Sequence, residues 1–325
     1  MEGGHTPISV RIGGVPPALK GATVIICYTF RVRREDTSLL IVAFIWAAAF
    51  PAIKIGVDAV GVFEVALWRH VASCLLFVAY LIIARVGWRI ERPDRWRFAA
   101  VAFSLVPLYH LGLNYGETQI SPGAASLIVS TAPLMVAVMA PFVLREPYTP
   151  TTLAGVLMAL SGVGFVILSE NGGLRLEHLL GALATLLAPL TTAYNTLASK
   201  RLLARYGALP YAAYVMIIGT AMLIPIALFI HPVRILNAGA PGWLSILFLG
   251  VVSNFVAYSL WFWALKRKHA SRTVVYLYLI PLFANLLSIA FLGQKLTWML
   301  VMGGALILSG VMVANRAPPA VPQSE

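Results

Sequence analysis

The run from Tyr115 to Val166 recurs near the end of this chain, without a gap, 148 positions later. Pro133-Leu134 returns as Pro281-Leu282, Leu144 as Leu292 and Thr149 as Thr297. Gly155 returns as Gly303, and Leu160-Ser161-Gly162-Val163 as Leu308-Ser309-Gly310-Val311. The same offset sets Trp46 against Tyr194, so the duplication reaches the start of the first half. A chain built this way folds as two similar units and places any shared site where they meet. Internally duplicated membrane proteins with such a site are most often transporters.

Both halves are almost wholly apolar. Hydrophobic residues make up 60% of the chain, charged residues 11%, and the mean hydropathy is +0.85. A soluble domain carries about 25% charged residues, so this chain lacks the polar surface to sit in water and reads as an integral membrane protein. The net charge of +12 lies in short loops between apolar runs, which suits anionic lipid and argues against a nucleic-acid partner. Cys27 and Cys74 have neither disulfide nor metal spacing, and no cofactor or metal is expected.

A spanning helix needs about 20 apolar residues. Ten candidates follow: 38–56, 62–84, 97–115, 121–142 and 151–169, then 178–199, 209–230, 243–265, 272–292 and 296–314. The domain reading is a flexible cytoplasmic tail over 1–37, five-helix repeats over 38–169 and 178–315, and a cytoplasmic tail over 316–325. The apolar stretch Ala22–Phe30 is too short to span, and no cleavage site clearly follows it. With a cytoplasmic N-terminus, 17 loop Lys and Arg residues face inside and only Arg175, Arg234 and Lys295 face outside. The expected fold is therefore an all-α polytopic protein of ten transmembrane helices, with both termini cytoplasmic. Five helices per half make the second repeat enter from the opposite side, so the repeats are inverted, the symmetry that alternating access requires.

The run Ile45-Trp46-Ala47-Ala48-Ala49-Phe50-Pro51-Ala52-Ile53-Lys54-Ile55-Gly56 resembles the first helix of the EamA-type permeases of the drug/metabolite transporter superfamily. Leu67-Trp68-Arg69, Ser126 to Pro133, Leu144-Arg145-Glu146-Pro147, Gly155 and Ser161-Gly162 continue the match in order. The second half repeats it with Pro281-Leu282, Leu292-Gly293-Gln294-Lys295, Gly303-Gly304 and Ser309-Gly310. The resemblance covers about residues 38–315 and implies a ten-helix exporter or exchanger of small metabolites, often amino acids, in a bacterial inner membrane. Multidrug or nucleobase efflux is the alternative cargo. One departure stands out: members often keep an acid after both the fourth and ninth helices, whereas here Glu146 is matched by Gln294.

Ionisable groups inside a bilayer cost several kcal/mol, so each is a functional candidate. Lys54 and Arg69 are expected at similar depth, where they could draw a carboxylate into a cavity; the plainer readings are snorkelling for Lys54 and an ion pair with Asp58, Glu64 or Glu117 for Arg69. His110 and its counterpart Tyr258 lie at matching depths, with Asn254 on the same helix as Tyr258, and a protonatable His110 could couple transport to pH. Asn114, Asn195, Trp46 and Tyr194 complete the expected cavity lining. Pro133 and Pro281 are expected to kink the fourth and ninth helices as a hinge pair. Gly155, Gly162, Gly164, Gly303, Gly304 and Gly310 read as close-packing surfaces on the fifth and tenth helices. Trp88, Trp96, Trp243 and Trp298 read as interfacial anchors.

Every Asp and Glu falls at a helix end or in a loop, including Glu117, which favours a facilitator or exchanger over a pump. No phosphate-binding loop is present to use ATP. An intramembrane enzyme would need a metal cluster or an activated nucleophile, and His70 and His110 lie far apart in sequence on different helices, so no enzyme is expected. The expected partners are a small-molecule substrate and the lipid bilayer, with the chain a monomer or homodimer.

Overall fold

The structure, a computed structural model, describes residues 34–144, 150–170, 175–230, 234–267, 273 and 275–314. Residues 1–33 and 316–325 of the expected tails, and Glu146, lie outside the described residues. Among the described residues all regular structure is helical. The helices are α1 (Arg34–Val60), α2 (Val62–Ile83), α3 (Arg92–Gln119), α4 (Pro122–Val129 continued by Ala132–Leu144) and α5 (Pro150–Leu168). They are followed by α6 (Leu176–Tyr206), α7 (Ala208–Ile230), α8 (Gly239–Arg267), α9 (Tyr276–Leu292) and α10 (Trp298–Ala314). Eight of them, α1 to α8, are long and apolar enough to cross a membrane; α9 and α10 are apolar but shorter. At 1.5 Å per residue the 17 residues of α10 reach about 25 Å against a core of about 30 Å. Several helices outrun the sequence reading: α1 begins at Arg34, inside the expected tail, and α6 runs on to Tyr206.

Hydrogen bonds between junctions sort the helix ends into two sets. At one end Glu64 accepts from the backbone N–H of Arg234 at 2.9 Å, Ser121 donates to Glu170 at 2.7 Å, and Gln294 accepts from the Gly123 N–H at 3.2 Å. These bonds join the α1–α2 region to the α7–α8 junction, and the α3–α4 turn to the ends of α5 and α9. At the other end Tyr214 donates to the Gly87 carbonyl at 2.8 Å, and Asp94 accepts from Arg205 at 3.0 Å and from Tyr206 at 2.9 Å. Arg205 also reaches Glu91, and Tyr276 binds Asp36.

The duplication is visible in the backbone itself. α1 and α2 meet at the single residue Gly61, with φ 95° and ψ 169°; α6 and α7 meet at the single residue Gly207, with φ 84° and ψ 164°. This region is open only to glycine without a large cost, so the same sharp joint is encoded twice. The offset here is 146, not 148. The change shows that the second repeat carries two more residues between Gly207 and the π-helical stretch of α8 than the first carries between Gly61 and that of α3. Trp46 therefore corresponds to Thr192 rather than to Tyr194. A stretch of π-helix spans Ser104–Leu108 in α3, and another spans Phe248–Ala257 in α8, where the 148 offset places its counterpart.

The α5–α10 crossing is antiparallel and reciprocal. A Cβ added at Gly162 would lie 2.7 Å from the Gly303 carbonyl oxygen, and one added at Gly310 would lie 2.6 Å from that of Gly155. Gly162 and Gly310 are repeat counterparts, as are Gly155 and Gly303, so residue i meets the mate of j while j meets the mate of i. That is how contacts across a two-fold axis behave. Gly304 packs on Leu127, but a Cβ at Gly164 would meet nothing within 4 Å, so Gly164 is no packing surface. Trp88, Trp96, Trp243 and Trp298 are all exposed, in keeping with a position at helix ends.

The prolines sit differently from expectation. α4 breaks at Ser130-Thr131, before Pro133, and the hydroxyls of both residues turn back onto carbonyls three residues earlier. Pro133 then occupies the first turn of the second segment, and Pro281 the first turn of Leu279–Leu292. A proline there removes few intrahelical bonds, so it starts a helix rather than kinking one.

Candidate functional site

The helices α1, α2, α3, α4, α6, α8 and α9 surround a cavity. No residue of α5, α7 or α10 lines it. Its walls pair under the repeat. On α1 and α6, Trp46, Ala49, Phe50 and Ile53 stand opposite Thr192, Asn195, Thr196 and Ser199, each 146 positions on. On α3 and α8, Leu105, His110 and Leu113 answer to Ser253, Tyr258 and Trp261, and on α4 and α9, Val129 and Ala132 answer to Leu277 and Ile280. The cavity thus lies between the halves, and the π-helical stretches flank it; such bulges are frequent at functional sites.

One lining residue carries a full charge far from water. Arg69 is 2% exposed, and its Nη2 donates to Asn254 at 2.9 Å and, at 3.4 Å, to Ser253. Its Nε and Nη1 have no hydrogen-bond partner. A guanidinium presents paired donors that fit a carboxylate side by side, and here that fork is held from behind by Asn254. Asn195 donates to Ser104 at 2.8 Å and leaves its Oδ1 unpaired.

Part of the lining is aromatic. The Trp46 ring lies 5.2 Å from Tyr258 and 5.3 Å from Trp261, and Tyr258 stacks on Phe262 at 5.8 Å. Trp46 Nε1 donates to the Ser253 carbonyl at 3.3 Å, which fixes the indole without filling the cavity. The arrangement offers cationic donors, one amide acceptor and a broad apolar face, the mix of a few directed polar groups on an apolar wall that small-molecule sites use.

Of the residues expected at the site, Trp46, Arg69, His110, Asn195 and Tyr258 line the cavity. Asn254 stands behind Arg69 as its support. Tyr194 does not line it; it is half-buried against the core. Asn114 is buried outside it and donates to the Val62 carbonyl at 3.1 Å. Lys54 also lies outside, paired with Asp58 at 2.9 Å near the end of α1. None of the three acids suggested for Arg69 hydrogen-bonds to it. Pro133 and Pro281 do not line the cavity, although their neighbours Ala132 and Ile280 do.

Two features escaped the sequence. His70 and His110, read as far apart in sequence on different helices, have ring centroids 4.4 Å apart. Positions 70 and 110 lie on antiparallel neighbours, where the distance along the chain says little; helix pairing could have suggested it. Glu117 sits in the last turn of α3, yet it is fully buried and both its carboxylate oxygens lack a partner. Among the described residues no group of three or more His, Cys, Asp or Glu is placed to hold a metal.

The profile of the EamA-like transporter family matches this sequence twice, over residues 34–168 and 179–316. The chain belongs to the EamA-like transporter family. The two matches follow the duplication, and together they make the chain a multi-pass membrane transporter rather than an enzyme. An uncharacterized transporter of Archaeoglobus fulgidus is 32% identical over 273 residues, covering 83% of this chain and 95% of that one. A probable terminal-alkyne amino-acid exporter of Streptantibioticus cattleyicolor is 31% identical over 289 residues, covering 88% and 95%. Among solved structures, the crystal structure of one protein superposes with a TM-score of 0.63 at 22% identity, covering 86% of this chain and 96% of that one, a likeness of fold.

Proposed function

We propose that this EamA-family protein exports or exchanges small carboxylate-bearing metabolites, amino acids first among them, by alternating access through the cavity between its halves. The observation that carries this reading is the Arg69 guanidinium, buried on the wall of a cavity that Trp46, Tyr258 and Trp261 also line, with two unpaired donors. The fork would take a carboxylate, the Asn195 Oδ1 would accept from an ammonium group, and the aromatic wall would take an apolar side chain. The probable terminal-alkyne amino-acid exporter of Streptantibioticus cattleyicolor, 31% identical to this chain, supports the same cargo class.

The architecture proposed with it is ten transmembrane helices in two inverted five-helix repeats, in a bacterial inner membrane with both termini cytoplasmic. The reciprocal glycine crossing and the paired cavity walls support the inversion. The basic residues Arg85, Arg89, Arg92, Arg95, Arg97, Lys200, Arg201, Arg205, Lys266 and Arg267 all fall at or near the junctions on one side, which supports the orientation. The test is counterflow in proteoliposomes preloaded with pooled amino acids. Uptake of a labelled aromatic or branched amino acid, lost in Arg69→Ala, is the expected result. No uptake from any pool by folded protein overturns the amino-acid reading and moves the search to nucleobases and drugs.

A further inference from the structure

A stripe of buried polar groups leaves the cavity along α3. His110, on the cavity wall, Asn114 and Glu117 recur at helical spacing on one face, and they are 2%, 0% and 0% exposed. Every one of them has unpaired polar atoms: both ring nitrogens of His110, Oδ1 of Asn114 and both carboxylate oxygens of Glu117. From α2, His70 adds an unpaired Nε2 against His110, with its Nδ1 spent on the Ala66 carbonyl at 2.6 Å. Buried polar groups are nearly always satisfied, and a continuous row of exceptions marks a place where water or a mobile proton completes the bonding. Packing does not account for the carboxylate: alanine-sized or apolar side chains would fill the same face without the cost of desolvating it.

We infer that Glu117 is a proton-binding site that couples cargo movement to proton movement, reached from the cavity along His110 and Asn114. The inference rests on the transport reading of the same cavity. A proton from water forms an O–H bond on a Glu117 carboxylate oxygen when the cavity is open to one side; that bond breaks and returns the proton to water on the other. No oxidant or other reactant is needed. Arg69 is the link to cargo: it and Glu117 feel one another's charge, and a carboxylate taken by its two unpaired donors would weaken that pull. Cargo and proton then act on one guanidinium, so each alters the affinity for the other, and reciprocally.

The charged and titratable groups around Glu117 are few. α1 contributes Lys54 and Asp58, already paired, α2 contributes Arg69, and α3 itself contributes Tyr109 and His110. α6 packs Gly181 and Thr185 against the neighbouring Gly116 and carries Glu177 and His178 in its first turn. α4 contributes no ionisable group in its Pro122–Val129 segment.

The decisive measurement needs no cargo. Infrared difference spectra of the nanodisc-held full chain are recorded across pH for wild type, Glu117→Gln and the control His178→Gln. A carboxylic-acid carbonyl band that titrates in wild type and in His178→Gln, and is absent from Glu117→Gln of matching gel-filtration profile, is the expected result. A wild-type spectrum whose titrating band survives Glu117→Gln overturns the inference, as does the absence of any titrating band. In a second arm, an inward-acid gradient drives pooled labelled amino acids out of proteoliposomes. Glu117→Gln should lower that gradient-driven flux by about tenfold or more, within the usual span of coupling between sites. Gradient-independent flux in wild type overturns the coupling. If wild type moves none of the pool, the amino-acid reading fails alone, and the infrared band still decides whether Glu117 binds a proton.

Discussion

Gly310→Ala should destabilise this protein, while Gly164→Ala, two residues beyond Gly162, the matching glycine of the first repeat, should not. At Gly310 the new methyl group would sit 2.6 Å from the Gly155 carbonyl oxygen and 2.7 Å from the Ala159 nitrogen, both backbone atoms that no rotamer change can move. Relief to an ordinary contact at 3.4 Å needs α5 and α10 to part by about 0.8 Å. Overpacking of this kind costs about 1–3 kcal/mol. Both substitutions gain the same helix-propensity term, about 0.5–1 kcal/mol, so it cancels in the comparison. At Gly164 nothing lies within 4 Å of the new atom, which leaves only that gain. The difference of about 1–3 kcal/mol corresponds to about 1.5–4.5 °C in unfolding temperature for a chain of this size. Thermal unfolding of the detergent-solubilised protein, followed by tryptophan fluorescence, reads it directly. The two-fold relation adds a second demand: Gly162→Ala, at the symmetry-equivalent position, should cost about as much as Gly310→Ala. Equal stability of the Gly310 and Gly164 variants would refute the close crossing, and unequal costs at Gly162 and Gly310 would refute its symmetry.

Arg69→Lys should lose counterflow by about tenfold or more with folding intact, because a point charge cannot replace a planar fork held by Asn254; gel filtration and uptake on the same preparation check it. Asp94→Ala should lower stability by about 2 kcal/mol, since a side chain 2% exposed loses its bonds to Arg97, Arg205 and Tyr206, whereas Glu91→Gln, at an exposed position, should change little; both are read by thermal unfolding. In a background with Cys27 and Cys74 replaced by Ala, a cysteine at Glu91 should react with a membrane-impermeant maleimide only after cells are opened, and one at Leu236 should react in intact cells. Labelling of both from the same side would overturn the alternating topology.

Much of the fold could be read because a membrane leaves a chain few options. Apolar runs must be helices, and their lengths and the basic junctions order them. The duplication was legible from α3 onward, where the 148 offset holds. It failed in α1 and α2 because two extra residues between Gly207 and the π-helical stretch of α8 shift the register, and apolar helices offer too few distinctive residues to reveal a slip of two. Gly61 and Gly207 were the missing marker, since both joints demand a conformation only glycine adopts freely. Arg69 was legible as a lone charge in an apolar run. Its partner Asn254, and the removal of Lys54 to a pair with Asp58, depend on rotation about helix axes that composition does not fix. Glu117 shows the sharper limit: a position one turn from a helix end looks solvent-facing on paper, yet the packing of α2 and α6 around that turn buries it completely.

The two halves agree where they hold each other and differ where chemistry is placed. The helix joints, the glycine crossing and the apolar cavity walls all have counterparts of like kind. The counterparts of Arg69 and His70 are Val215 and Met216; those of Asn114 and Glu117 are Phe262 and Leu265; those of Asn195 and Asn254 are Ala49 and Val106. Each of these six buried groups with an unpaired polar atom thus has an apolar mate, whereas His110 and Trp68 answer to Tyr258 and Tyr214. Had both copies of Arg69 been kept, two like charges would face one cavity across the axis, at a desolvation cost that no single carboxylate could offset. On the function proposed above, keeping one would leave a scaffold free to present its cavity to either side with similar packing, and a single polar half that takes one cargo molecule in one orientation. Restoring the symmetry tests this directly. Val215→Arg should abolish counterflow although Val215 does not line the cavity, and Arg69→Val with Val215→Arg should recover some of it, because in a two-fold scaffold the fork would then reach the same space from the other half. No recovery in a folded double variant would mean that Ser253 and Asn254, present on one side only, are as necessary as the charge they hold.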